Sequence, residues 1–246
     1  MKVLILNPNT SVPITERLMQ AALPAAAPGT ELEALTASRG FPYIATRAEA
    51  QIGGAIALEM LAEHAERCDA AIIAAFGDPG LAGAREMFDI PVVGMAEAAM
   101  LTACMLGRRF AVVTFAQSLG PWYADCVEAN GLAGRLAGIR MLDGAFASIS
   151  DVQSEKEALL VDLANRAVEE DEADVVILAG APLAGLAAKV RERIPVPVVD
   201  PMAAAVKQAE ALVTLNVRKA SAGTYRRPAP KGTLGLAPAL ARRWTN

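Results

Sequence analysis

Residues 68–106 read CDAAIIAAFGDPGLAGAREMFDIPVVGMAEAAMLTACML, and residues 173–212 read ADVVILAGAPLAGLAAKVRERIPVPVVDPMAAAVKQAEAL. The two stretches are one pattern written twice. Each opens with an Asp (Asp69, Asp174) and an apolar run, turns at small residues with Pro-Gly-Leu or Pro-Leu, and continues as a helix. Each then reaches Pro-Val-Val and an Ala/Met-rich helix. A repeat of this length predicts two copies of one folding unit packed face to face. Short, continuous aliphatic runs alternating with helices predict parallel strands buried on both faces. Ligands of such sheets sit beyond the carboxyl ends of the strands. The turns 74–80 and 179–182 should therefore face one cleft from opposite sides.

The flanking sequence extends the alternation. Val3–Leu6 reads as a strand stopped by Asn7-Pro8-Asn9, and Thr10 or Ser11 is placed to cap a helix with Pro13 in its first turn. A strand over Glu31–Ala37, a loop over Gly40–Thr46 and a helix over Ala48–Arg67 lead into the first copy. Between the copies come a strand at Arg109–Phe115, a helix near Trp122–Asn130, a strand at Ala137–Met141 and a helix at Ser154–Glu170. A last helix covers Pro201–Asn216, followed by an irregular Gly/Pro-containing tail. The expected architecture is α/β with two intertwined lobes: residues 1–95 plus 202–246 form the first, and residues 96–201 the second.

Composition narrows the function classes. At 246 residues and 54% hydrophobic, the chain has ample material for a core, and a net charge of −4 gives no basic field for nucleic acid. The one basic stretch, Tyr225-Arg226-Arg227 with Lys231, reads as a solvated tail or a subunit contact. Three cysteines (Cys68, Cys104, Cys126) do not make a disulfide framework and suit a reducing compartment. The apolar start is too short for a signal peptide, and no run reaches the ~20 residues of a membrane span. No His/Cys cluster has metal-ligand spacing, and no Gly-rich phosphate or dinucleotide loop is present. The expectation is a cytoplasmic protein, forming a homo-oligomer, that handles a small molecule without metal or cofactor and engages neither nucleic acid nor membrane.

The strand ends supply the candidate site residues. After the first strand, Asn9, Thr10 and Ser11 offer amide and hydroxyl groups suited to a carboxylate or imide oxygen. Thr114 holds the matching place in the second lobe, with Ser118 as a helix cap. Aligning Asp69 with Asp174 sets an offset of 105 residues and pairs Ala75 with Gly180. Phe76, Gly77 and Ala181 neighbour these positions. Asp78 reads either as a turn-former beside Pro79 or as a base raised by desolvation. Tyr43 sits on a loop able to close over a ligand and is a weak-acid candidate. Glu97 either caps the following helix or reaches the cleft, and His64 lies on a helix surface away from it.

In Leu6-Asn7-Pro8-Asn9-Thr10-Ser11, Ala75-Phe76-Gly77-Asp78-Pro79-Gly80-Leu81, Pro91-Val92-Val93-Gly94, Val113-Thr114, Ala184-Gly185-Leu186 and Gly223-Thr224-Tyr225 the chain resembles the aspartate/glutamate/hydantoin racemase superfamily, and within it the hydantoin and allantoin racemases. The resemblance covers nearly the whole chain. It implies two Rossmann-like lobes related by a pseudo-twofold axis. It also implies a cofactor-independent isomerase in which two cysteines, one per lobe, remove and return the proton on a substrate's acidic carbon. By that resemblance those cysteines fall on Ala75 and on Gly180 or, second, Ala181, none of which can move a proton. The three cysteines present lie elsewhere and read as core residues. The sequence therefore points to racemase-like proton transfer by a route without two thiols, with Asp78 and Tyr43 as catalytic candidates. The alternatives are a decarboxylase or hydrolase on the same scaffold, using Asp78, Tyr43 or water, and a non-catalytic small-ligand binder.

Overall fold

In the first strand, Val3 and Ile5 enter one apolar cluster while Leu4 and Leu6 enter another on the opposite face, and all four are fully buried. A period of two with no polar face explains the unbroken aliphatic run: helices cover the sheet on both sides. The computed structural model of the chain describes residues 1–143 and 151–245. It contains two four-stranded sheets. The first comprises β1 (Lys2–Asn7), β2 (Glu31–Thr36), β3 (Ala70–Ile73) and β4 (Val92–Gly94), in the order β2-β1-β3-β4. The second comprises β5 (Phe110–Thr114), β6 (Leu136–Met141), β7 (Val175–Leu178) and β8 (Val198–Val199), in the order β6-β5-β7-β8. Every pairing is parallel, and the second order repeats the first strand for strand.

The repeated Asp has a repeated task. Asp69 Oδ2 accepts from the Lys2 amide at 2.7 Å, at the entrance to β1. Asp174 Oδ2 accepts from the Arg108 and Arg109 amides at 2.9 Å each, at the entrance to β5. In each lobe the carboxylate holds the start of the neighbouring strand and fixes its register. This pairing of distant segments is invisible in the sequence, although the Asp itself was conspicuous there.

The helices are α1 (Val12–Ala22), α2 (Arg47–His64), α3 (Leu81–Met87), α4 (Met95–Leu106), α5 (Gly120–Ala129), α6 (Val152–Asp171), α7 (Leu186–Val190), α8 (Pro201–Thr214) and α9 (Pro238–Arg242). Two of them change partners. Helix α4 follows β4 of the first sheet but packs on β5, β7 and β8 of the second. Helix α8 follows β8 of the second sheet but packs on β1, β3 and β4 of the first. The two lie against each other, where Gln208 Nε2 donates to the Ala98 carbonyl at 2.9 Å and to Thr102 Oγ1 at 3.2 Å. One hydrophobic cluster consequently runs through both lobes.

The tail is more ordered than its composition suggests. It carries α9, and Leu240 is buried with Leu4, Leu6 and Leu61. Arg227, expected in a solvated tail or subunit contact, donates from Nη2 to both carboxylate oxygens of Asp89 in the same chain, at 2.8 and 2.7 Å. Arg243 pairs with Glu66 and stacks over Phe88. Among the described residues no helix is long and apolar enough to cross a membrane.

Candidate active site between the lobes

The loop after β1 is ordered by its own side chains. Asn7 Nδ2 donates to Asn9 Oδ1 at 3.0 Å and to Thr15 Oγ1 at 2.9 Å, and Thr15 meets Thr36 Oγ1 at 2.6 Å. Asn9 Oδ1 also accepts from the Ser11 amide at 2.9 Å. Asn9 thus does the local work expected of the hydroxyls: Ser11 occupies the N-cap position of α1 but makes no side-chain cap bond. With its oxygen committed, Asn9 is left with its Nδ2 as a donor, and its side chain borders the interlobe cavity.

That cavity is bounded on the first lobe by Asn9, Ile14, Tyr43, Ile44, Ala75 and Phe76, and on the second by Trp122, Tyr123, Gly180, Ala181 and Pro182. Ala75 and Gly180 border the same cavity. Tyr43 is brought in by the capping box of α2. Thr46 Oγ1 accepts from the Glu49 amide, while Glu49 Oε2 accepts from the amides of Ala45 and Thr46 at 2.7 and 3.0 Å. The Tyr43 hydroxyl is buried and has no hydrogen-bond partner among the described residues. Burial pushes its pKa far above the ordinary tyrosine range, so it serves as a donor and not as a base. Tyr123 is likewise raised, first by desolvation, and shares a hydrogen bond with Thr114.

Other expected site residues stand outside the cavity wall. Thr10 donates its amide to the Phe41 carbonyl. Thr114 is fully buried and gives its hydroxyl to the Ala179 carbonyl at 3.0 Å, joining the ends of β5 and β7. Gly77 packs under Trp122. Ser118 lies in a 3-10 turn before α5 with no side-chain cap bond.

Asp78 departs most from the expectation of a cleft base. Its two oxygens accept from the Ala96 and Glu97 amides at 2.8 Å each, so it caps α4 from the preceding turn. It lies over Gly94, whose counterpart in the second repeat is Asp200. Asp200 caps α8 through Met202 and Ala203 and accepts from the Gly185 amide at 2.6 Å. The two lobes thus tie the same turn to the same helix start with one carboxylate, supplied from opposite partners. Desolvation pushes the pKa of Asp78 up to about 7 against the lowering effect of the two amides. Glu97 is engaged by Arg85 and points to neither role foreseen for it. His64 lies at the end of α2 beside Glu63.

The sequence reading missed Trp122 and Tyr123. Phe76 stacks on Tyr123 at 4.6 Å between centroids, Trp122 lies 5.6 Å from Tyr123, and Tyr43 meets Phe115 at 5.8 Å. The available signal was scarcity. Aromatic residues make up only 4% of the chain, so the adjacent Trp-Tyr pair just after β5 stood out. Among the described residues that line the cavity, Asn9, Tyr43, Trp122 and Tyr123 carry the polar side-chain atoms, and none is an ordinary acid–base group at neutral pH.

The profile of the Asp/Glu/Hydantoin racemase family matches residues 3–209. The chain belongs to that family. Within it, the chain is 35% identical to a hydantoin racemase of Paenarthrobacter aurescens over 238 residues, which is 94% of this chain and 99% of that protein. It is 33% identical to a hydantoin racemase of Pseudomonas sp. (strain NS671) over 249 residues, covering 100% of this chain and 99% of the relative. Among solved structures, the allantoin racemase from Klebsiella pneumoniae superimposes with a TM-score of 0.92 at 32% identity, over 98% of each chain. The racemase family's two-lobed α/β architecture is therefore that of this chain, while its interlobe cavity holds Ala75 and Gly180 where the resemblance implies thiols.

Proposed function

We propose that this racemase-like protein takes a small, flat, carbonyl-bearing ring of the hydantoin type between its lobes and labilises the hydrogen on the carbon beside the carbonyl. The observation that carries this reading is a cavity lined by Ala75, Gly180 and Tyr43, the last with a buried hydroxyl that has no hydrogen-bond partner among the described residues. Asn9 Nδ2 and the Tyr43 hydroxyl polarise the carbonyl and stabilise the enolate. A single donor of this kind contributes about 10²–10³-fold in rate. The absent thiols forfeit the ~10²–10⁴-fold contribution typical of a positioned acid or base. Water takes the proton and returns it from either face. The turnover is accordingly weak and independent of thiols. The protein works without a cofactor, in the cytoplasm and as a homo-oligomer. This reading is favoured over a decarboxylase or hydrolase worked by Asp78, because that carboxylate is engaged in capping α4.

The test is exchange at the α-carbon in D₂O, followed by NMR with hydantoin, allantoin and small amino or dicarboxylic acids. The expected result is deuterium uptake with loss of optical activity, faster than in buffer and unchanged after alkylation with iodoacetamide. A product other than the antipode, or exchange abolished by alkylating Cys68, Cys104 or Cys126, overturns the proposal.

A further inference from the structure

The interlobe cavity is narrow. Its accessible volume is about 20 Å³, enough for roughly one water, whereas pockets for small molecules run to ~300–1,000 Å³. On the far side of Trp122 lies an open groove of about 260 Å³, bordered by Arg47, Gln51, Gly77 and Asp125. Trp122 borders both spaces. Its ring lies directly on Gly77, at φ +106°, where any Cβ would overlap the indole. Across the outer rim, Arg47 of α2 pairs with Asp125 of α5 and donates to the Pro121 carbonyl at 3.2 Å. Arg47 begins α2 on the first-lobe side, while Pro121, Trp122 and Asp125 belong to α5 on the second. The Trp122 indole therefore stands between the cavity and the outer groove, and an exposed ion pair spans the lobes beside it.

Resting on the hydantoin-ring reading above, we propose that Trp122 is the door of the cavity and thereby the residue that sets which substituents the ring can carry. Gly77 is the seat on which it closes, and Arg47–Asp125 is the latch. Opening lifts the indole off Gly77 and merges the cavity with the outer groove. A ring enters by that path, and a bulky substituent is refused unless the indole stays open.

Two measurements test this separately from turnover. Replacing Trp244 in the tail by Phe (Trp244→Phe) leaves Trp122 as the only tryptophan. In that background acrylamide quenching of Trp122 should be weak, since its exposure is only 8%. Adding Arg47→Ala should increase quenching by up to about fivefold, the most that releasing an exposed ion pair accounts for, with a single cooperative urea transition retained. Unchanged quenching overturns the latch. The second measurement compares binding of hydantoin and 5-benzylhydantoin by saturation-transfer NMR. Trp122→Ala should raise the benzyl-to-hydantoin preference by about tenfold or more, and Trp122→Phe, which keeps an aromatic ring for folding, by less. An unchanged preference in a folded variant, with hydantoin still bound, overturns the door while the ring-binding function stands. Increased quenching in Arg47→Ala with no ring bound by any variant supports the door and latch and refutes the functional reading instead.

Discussion

Replacing Gly180 by Ala tests why no side chain stands at that position. Gly180 has φ +112° and ψ +138°, a region where side-chain-bearing residues are strained by about 1–3 kcal/mol. Its new Cβ would lie 2.7 Å from Phe115 Cε1. Phe115 is 1% exposed and packed against Tyr43, so it has little room to yield. Forcing one more carbon into such a site costs a further ~1–3 kcal/mol. The sum, about 2–6 kcal/mol, is a large part of the ~5–15 kcal/mol that holds a typical domain folded. Urea denaturation of Gly180→Ala and wild type, with the conservative Ala75→Ser as control, measures it. A loss below about 1 kcal/mol would refute the reasoning, because the turn would then relax to accept a side chain. Position 180 could in that case host a thiol, and its absence would have no structural basis.

Ala75 already carries a Cβ on the cavity wall, so Ala75→Cys should fold normally. It should raise α-proton exchange of hydantoin by about 10²–10⁴-fold in an alkylation-sensitive way, and NMR exchange in D₂O checks it. Tyr43→Phe should slow exchange by about tenfold or more while raising stability by up to ~1–3 kcal/mol, because it deletes a buried hydroxyl that has no partner among the described residues; paired exchange and urea data check both signs. Asp78 has a folded pKa of about 7 against ~3.9 unfolded, so its neutral form favours folding below about pH 4 and that contribution fades as pH rises through 7. Asp78→Asn keeps a cap without titrating. Wild type should therefore lose up to about 4 kcal/mol relative to it between pH 4 and pH 8, read from urea midpoints, and parallel pH profiles would refute the assignment.

The repeated α/β unit, and the place of positions 75 and 180 just after matching strands, were legible in the sequence. Both are local: a strand's apolar run, a small-residue turn and the following helix are set by near neighbours, and duplication repeats them in the second copy. The sequence also identified Asn9 and Tyr43 as polar groups beside the cleft. Tertiary structure alone decided what the remaining polar groups do. Asp78 reads as a turn-former or a base until the helix start at Ala96 and Glu97 is brought against it and makes it a cap. Thr114 reads as a ligand contact until the Ala179 carbonyl, 65 residues away, accepts its hydroxyl. Trp122 and Tyr123 reached the cavity only because α5 packs across the lobe interface onto the turn at Phe76 and Gly77. A polar or aromatic side chain takes its function from whatever satisfies it. When that partner is distant in sequence, its identity is fixed by the packing of one lobe on the other.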